Sequence, residues 1–196
     1  LTLLKLGQLP ALRSLKCIFN DALVSLSFKG LTNLSDVQCG SNPQLSIIET
    51  GEKINVRSLS IGDCAFRSLE FINSFPLLQE LSCSSNNLTS LDLSELPLLR
   101  SVDCSDNKKL VHLQIPEQNS VNPILQNLDC SFCYLDEKEL NAIFCVLPVA
   151  PNPYPEYPSG YGITFNGNPG SENCDRKLVE DKGWNIFVNP EDLINR

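Results

Sequence analysis

The chain has 196 residues, of which 42% are hydrophobic and 19% are charged, a balance typical of a globular protein. Its net charge of −8 argues against nucleic acid as a partner, because phosphate contacts need clustered lysine and arginine. No apolar run approaches the ~18–20 residues that a membrane-spanning helix needs.

Six blocks along the first two thirds of the chain share apolar residues at their first, fourth and sixth positions. Their sixth residues are spaced by 22, 22, 22, 21 and 26 positions, and are Cys17, Cys39, Ile61, Cys83, Cys104 and Cys130. Their ninth residues keep the same spacing, and are Asn20, Asn42, Cys64, Asn86, Asn107 and Cys133. This pattern predicts one short strand per block, with the apolar positions facing inward and neighbouring strands stacked in parallel ~4.8 Å apart.

The fullest block, LQELSCSSNNLTSLDLSELPL at residues 78–98, resembles a leucine-rich repeat, whose units begin LxxLxLxxN/C. Its length is similar to the short 21–22-residue repeats of bacterial surface and secreted proteins. The resemblance covers residues 1–135 and implies an α/β, β-rich fold, a right-handed leucine-rich-repeat solenoid of about six coils with a parallel sheet on its concave face. The opening LKLGQLPALRSL aligns with LDLSELPLLRSV at residues 91–102, so we expect an N-terminus truncated in mid-repeat. The resemblance also implies that ninth-position Asn side chains bond turn backbone, and that Cys can replace Asn there.

Residues 136–196 depart from this pattern and predict a C-terminal α/β capping unit. DEKELNAIFCVLP predicts a helix that begins at the N-cap Asp136, carries Glu139 in a capping box, and ends at Pro148. A Pro/Tyr-rich loop (149–162), a strand (163–165), an NPG turn (166–170), a second helix (171–183) and a final strand (184–188) are expected to follow. The arrangement is similar to the closing caps of bacterial leucine-rich-repeat proteins, which cover the last apolar face of the solenoid.

Cys130 and Cys133 form a Cys-x-x-Cys pair, a spacing also found in redox dithiols and zinc sites. Here the spacing equals the sixth-to-ninth spacing of every block, so we expect one thiol in the core, the other in the turn, and both free. The sixth-position cysteines are predicted to be buried apolar residues, because in-register strands hold Cβ atoms near 4.8 Å, beyond the ~3.5–4.5 Å of a disulfide. Whether Cys145 and Cys174 pair stays open. No metal site and no cofactor are predicted.

Candidate catalytic groups are few. His112, the only histidine, lies between repeat leucines beside a predicted convex-side turn, so we expect no enzymatic activity. Glu49, Glu70 and Asp92 recur at one place in successive units, where like charges either splay into water or are bridged by a cation such as calcium. Splaying is favoured, since no Asp-rich calcium loop is present.

The outward strand positions are the surface that the predicted fold offers to a partner. We expect a non-enzymatic module that binds a protein or peptide, with Phe132 as an anchor and polar contacts from Asp36, Gln38, Glu80, Asp103 and Asp129. Two alternatives are a carbohydrate- or cell-wall-binding module that uses Tyr154, Tyr157 and Tyr161, and a structural spacer in a longer repeat protein. The resemblance implies a secreted or surface-displayed bacterial protein in adhesion or host contact, and we expect a monomer.

Overall fold

The computed structural model describes residues 2–51, 53–117, 125–151 and 160–188. Within these ranges the protein is α/β and β-rich, with short parallel strands and few helices, so the strands predicted for the six blocks are confirmed. The strands are β1 (Leu3–Lys5), β2 (Ser14–Lys16), β3 (Ser25–Ser27), β4 (Asp36–Gln38), β5 (Ile47–Glu49), β6 (Ser58–Ser60), β7 (Glu80–Ser82), β8 (Ser90–Asp92), β9 (Ser101–Asp103), β10 (His112–Gln114), β11 (Asn127–Asp129), β12 (Gly162–Thr164) and β13 (Asn185–Phe187). The helices are a 3-10 helix (Glu70–Ser74), α1 (Glu137–Val146) and α2 (Lys177–Glu180).

The largest sheet has eight parallel strands in the order β2-β4-β6-β7-β9-β11-β12-β13, and we call it the long sheet. Its pairings are in register, so each block places the same position beside the next block: Val37 lies opposite Leu59, and Leu59 opposite Leu81. The remaining strands form a second row, made of a three-stranded sheet β1-β3-β5 and a two-stranded sheet β8-β10.

The first, fourth and sixth residues of the blocks form the core beneath the long sheet. Leu34, Val37 and Cys39 are at most 1% exposed, and the equivalent residues of every later block are buried as well. In the first block Leu12 and Cys17 are only half-buried, because the edge strand β2 has a neighbour on one side alone. Each such side chain contributes about 1.5–3 kcal/mol when fully buried, which makes stacking the main source of stability.

Ninth-position side chains bond turn backbone, as the resemblance implied, and from the second block on they tie each turn to the turn before it. Asn107 is fully buried; its Nδ2 donates to the carbonyl oxygens of Cys104 (2.9 Å) and Cys83 (3.0 Å), and its Oδ1 accepts from the Leu88 amide (3.1 Å). Cys133 replaces the donor: its Sγ donates to the Cys104 carbonyl at 3.3 Å. The expected exchange of Asn for Cys is therefore confirmed at this turn.

The eighth position of every block adopts the left-handed backbone conformation. The residues there have φ between 52° and 58° and are Phe19, Ser41, Asp63, Ser85, Asp106 and Phe132. Because a Cβ atom disfavours this region by roughly 1–2 kcal/mol, the repeated geometry is held by the hydrogen bonds of the turn.

The same turn recurs at residues 166–170, which the sequence predicted only as an NPG turn. Asn168 Nδ2 donates to the carbonyl oxygens of Cys130 and Phe165, both at 2.8 Å, and its Oδ1 accepts from the Leu135 amide. Gly167 holds the left-handed eighth position with φ 74°. Strands β12 and β13 thus extend the long sheet in register through residues assigned by sequence to the capping unit.

The second row is interrupted by the 3-10 helix Glu70–Ser74, which lies between β5 and β8 in chain order. An aromatic cluster fills this region: Phe71 packs against Phe66 (ring centroids 5.7 Å apart) and Phe75 (5.9 Å), and Phe75 packs against Phe28 (6.3 Å). Four large rings need more room than the leucines of the other units. The rings thus fill the core at the point where a helical turn stands in place of a strand.

Helix α1 packs beside β10 at the end of the second row. It corresponds to the helix predicted to begin at the N-cap Asp136. Asp136 accepts a hydrogen bond from the Glu139 amide at 2.8 Å, which confirms the N-cap. The Glu139 side chain accepts from the Leu113 amide of β10 at 2.9 Å, and so satisfies a donor on an edge strand. Leu140 and Phe144 are fully buried beneath the helix.

The second predicted helix is shorter than expected. Helix α2 spans only Lys177–Glu180, because residues 168–174 continue the repeated turn: the Ser171 amide donates to the Asn168 carbonyl, and the Cys174 amide to the Gly170 carbonyl. Lys182 Nζ donates to the carbonyl oxygens of Cys145 and Leu147, both at 2.6 Å, and ties this segment to the end of α1.

Candidate functional site

The outward face of the long sheet is the surface on which the sequence-predicted binding residues converge. We define it as the third and fifth residues of each strand unit, whose side chains alternate with the buried fourth residues. Asp36, Gln38, Glu80, Asp103 and Asp129 all lie on this face, and the in-register pairing arranges them in two rows. The sheet therefore brings together residues up to 93 positions apart in the chain.

Carboxylates and hydroxyls alternate along the third-position row. Ser14 Oγ donates to Asp36 Oδ1 (3.4 Å), and Ser58 Oγ donates to Glu80 Oε2 (3.1 Å). Gln38 Nε2 also donates to Asp36 Oδ1, at 3.5 Å. These contacts are long or exposed, so the carboxylates keep lone pairs for a partner.

The fifth-position row contains a denser polar cluster. Asp103 Oδ1 accepts from Ser105 Oγ at 2.6 Å, and its Oδ2 accepts from Ser82 Oγ at 3.4 Å. Asp129, its in-register neighbour, accepts from Ser131 Oγ at 2.6 Å and from the Ser131 amide at 2.9 Å. Each aspartate thus orders the start of the following turn.

Negative charge dominates this face. Lys16 is the one basic residue at the third and fifth positions of the described strands of the long sheet, against four carboxylates. Burial raises the pKa of Asp129, and the nearby carboxylates of Asp103 and Asp106 raise it further. A cationic group placed here would relieve this repulsion, so the face is suited to lysine or arginine side chains.

Phe132 lies in the turn after β11, at the edge of the outward face. Its φ is 52°, its side chain is half-buried, and its ring packs so closely on Gly167 that a Cβ atom there would come within 2.4 Å of the ring. The predicted anchor is thus engaged in packing between neighbouring turns. Phe19, the equivalent residue at the other end, is 74% exposed.

The Tyr/Pro loop is described only at its margin. Tyr154 and Tyr157 lie outside the described residues. Tyr161 is 6% exposed and packs edge-to-face on Trp184 with ring centroids 5.5 Å apart. Its ring therefore contributes to packing in the C-terminal region and offers little open surface to a ligand.

The remaining titratable candidates are dispersed. His112 Nδ1 lies 2.7 Å from Glu139 Oε1, on β10 and away from the long sheet. Glu49 pairs with Lys29 (3.2 Å), Asp92 accepts from the Ser94 amide, and Glu70 opens the 3-10 helix. The predicted row of acids is thus broken at Glu70. In the described ranges no three His, Cys, Asp or Glu side chains are grouped so that they could hold a metal ion.

The cysteine pairs considered from sequence are separate thiols. Cys130 is fully buried in the core, and Cys133 lies in the turn at 4% exposure, as their block positions predicted. Cys145 is exposed on α1, whereas Cys174 is buried and donates to the Ser171 carbonyl at 3.4 Å, and the two are not bonded.

Two features are not among the predicted binding residues. The buried hydroxyls of Ser105 and Ser131 lie beneath the outward face, and the recurring Asp-Cys-Ser at residues 103–105 and 129–131 was the signal for them. A surface cavity of about 600 Å³ lies beside the last turns, with Tyr134, Glu172 and Arg176 in its lining. No sequence pattern singled it out, because its walls come from distant segments.

Two further observations concern the chain as a whole. No helix in the described part of the chain has the length and apolar character to cross a membrane. The sequence matches no protein-family model and no curated protein.

Proposed function

We propose that the chain is a leucine-rich-repeat module whose long sheet forms the concave face of a right-handed solenoid, closed by the C-terminal unit. In-register parallel strands, buried first, fourth and sixth positions and the ninth-position Asn or Cys contacts support this assignment. The resemblance of the repeats supports a secreted or surface-displayed bacterial protein.

The module is a non-enzymatic binder of a protein or peptide segment rich in lysine or arginine. The observation that carries this proposal is the outward face itself, with four carboxylates, alternating hydroxyls and Lys16 as its basic residue. A face of one charge sign recognises a partner of the opposite sign through complementary potential and charge-assisted hydrogen bonds.

The spacing of the acids fits an extended peptide that crosses the strands. Asp36 and Glu80 are separated by one strand, β6, so their backbones lie about 9.6 Å apart at ~4.8 Å per strand. An extended chain in the polyproline II conformation has three residues per turn and rises about 3.1 Å per residue, so side chains three residues apart lie on the same face about 9.3 Å apart. A Lys-x-x-Lys or Arg-x-x-Arg segment would therefore place a cation at each carboxylate.

The test is a selection of random displayed peptides on the folded protein, followed by affinity measurement with the enriched sequences. Enrichment of basic peptides with the three-residue spacing is expected. The Asp36→Lys/Glu80→Lys variant should bind them at least about tenfold more weakly, because two attractive contacts become repulsive.

A charge-matched control distinguishes the loss of contacts on the outward face from a general effect of net charge on affinity. Glu70→Lys/Glu95→Lys makes the same change in charge on two exposed residues outside the long sheet, and should keep the wild-type affinity. If both double variants lost the same affinity for the peptides, binding would depend on net charge and not on the outward face. Enrichment of aromatic or acidic peptides, or of none, would refute the proposed partner class.

A further inference from the structure

Two sixth-position cysteines at the edge of the long sheet are in direct contact with each other. Cys17 and Cys39 follow the paired strands β2 and β4, and their sulfur atoms lie 2.7 Å apart. Non-bonded carbon atoms in proteins rest at about 3.5–4.0 Å, and a disulfide bond measures about 2.05 Å. The two sulfurs are therefore closer than ordinary core contacts, although parallel in-register strands were expected to hold them apart.

From this geometry we infer that Cys17 and Cys39 form a reversible disulfide that fastens the first strand unit to the second. Among the described strands of the long sheet β2 pairs with β4 alone, so a bond between Cys17 and Cys39 would join β2 to its one neighbour there. Leu12 and Cys17 are half-buried there, whereas the equivalent residues of later blocks are buried.

The reaction is a thiol–disulfide exchange with a small-molecule disulfide such as oxidised glutathione. The half-buried Cys17 thiolate attacks one glutathione sulfur, and one glutathione thiolate leaves. Cys39 then loses its proton and attacks Cys17 Sγ, expelling the second glutathione. Two protein thiols lose two electrons and two protons, and the oxidant gains them as two glutathione thiols.

The environment of Cys17 suits it to be the attacking thiol. The hydrogen bond with the Cys39 thiol lowers the pKa of Cys17, and this effect outweighs that of its partial burial. A thiolate is the reactive form, and Cys17 is the member of the pair that is only half-buried, so an oxidant can approach it.

The chain supplies a matched control in Cys83 and Cys104. They also occupy sixth positions on neighbouring strands, β7 and β9, but both are fully buried. Cys104 Sγ donates to the Asp129 carbonyl at 3.4 Å, and burial raises the pKa of Cys83. This pair should stay reduced while the protein is folded.

The experiment incubates the folded full chain with excess oxidised glutathione, quenches with acid, alkylates free thiols and maps tryptic peptides by mass spectrometry. Residues 17–29 and 30–53 should be recovered as one cross-linked species that dithiothreitol separates, with Cys83 and Cys104 reduced. Alkylation of both Cys17 and Cys39 without a cross-link, or a dominant bond elsewhere, would overturn the inference.

Two further readouts test the order of the reaction and its effect. In Cys39→Ala, Cys17 should be trapped as the mixed disulfide with glutathione; no adduct at Cys17 in the folded variant would contradict its role as the attacking thiol. In the oxidised wild type, amide hydrogen exchange of residues 12–17 should slow at least about fivefold relative to the reduced protein. If the amide exchange rates of residues 12–17 were the same in the oxidised and reduced proteins, the disulfide would not stabilise the first strand unit.

Discussion

The long sheet and the second row are built from the same repeating segments, yet one is continuous and the other is broken. In the long sheet every described turn after the first supplies an Asn or Cys that bonds the turn before it, so each strand is placed by its predecessor. In the segments that follow second-row strands the equivalent contacts are exposed: Asn33 donates to the Pro10 carbonyl (2.7 Å) and Asn55 to the Thr32 carbonyl (3.4 Å). This row is interrupted at the aromatic cluster. Polar contacts thus hold the register, while apolar packing sets the local shape.

The largest effect should come from the aromatic cluster that interrupts the second row. Phe75 is fully buried between Phe28 and Phe71, so Phe75→Ala should lower the free energy of unfolding by about 3–5 kcal/mol in urea titrations. Phe71→Ala, a half-buried control in the same cluster, should cost less. An equal or smaller loss for Phe75→Ala would show that the cluster does not organise this region.

A smaller loss is expected when one turn of the long sheet loses its side-chain contacts. Asn107→Ala removes two donors and one acceptor from a fully buried site and should cost about 2–3 kcal/mol, measured in the same urea titrations. Asn107→Cys should cost less, because Cys133 fills this role in the structure. If Asn107→Cys and Asn107→Ala lowered the free energy of unfolding equally, a thiol at this position would not stabilise the turn.

The left-handed eighth position predicts a stabilising substitution. Ser85 is exposed with φ 53°, and Ser85→Gly should raise the free energy of unfolding by about 0.5 kcal/mol. Relief of roughly 1–2 kcal/mol of backbone strain exceeds the roughly 0.5–1 kcal/mol entropic cost of glycine. Ser82→Gly, three residues earlier in β7, should instead destabilise the protein; a gain there would contradict the account.

The smallest expected effect is the pH dependence due to Asp129. Burial raises its pKa above the ordinary 3.8, so the folded protein binds this proton more tightly than the unfolded chain does. Stability from this group is therefore fully present at low pH and is lost as the pH rises through the folded pKa. Asp129→Asn should flatten the stability profile above pH 3.8 relative to wild type.

An exposed acid provides the control for that profile. Asp63→Asn removes the same formal charge from an exposed turn residue. Thermal melts across the pH series should show the flatter profile for Asp129→Asn alone. A parallel change in both variants would indicate a general charge effect.

The strands and the inward positions were predictable because they follow from periodic residues at fixed spacing. The segment of residues 162–168 was harder, since α1 and the Tyr/Pro loop separate Phe165 from Cys130 by 35 positions and hide the repeat. The left-handed eighth position was also missed, because Phe19 and Phe132 are poor candidates for that conformation. The outward acids could be placed on one face from sequence, but their serine partners required the register and the side-chain geometry.

The most direct test of the account is the affinity of one selected basic peptide for wild type and for Glu80→Lys, by isothermal titration calorimetry at about 50 mM and about 200 mM salt. We predict at least tenfold weaker binding by Glu80→Lys at the lower salt, and a wild-type affinity that falls as salt is raised. Salt-independent binding that is equal in the two proteins would contradict the outward face as an electrostatic binding surface.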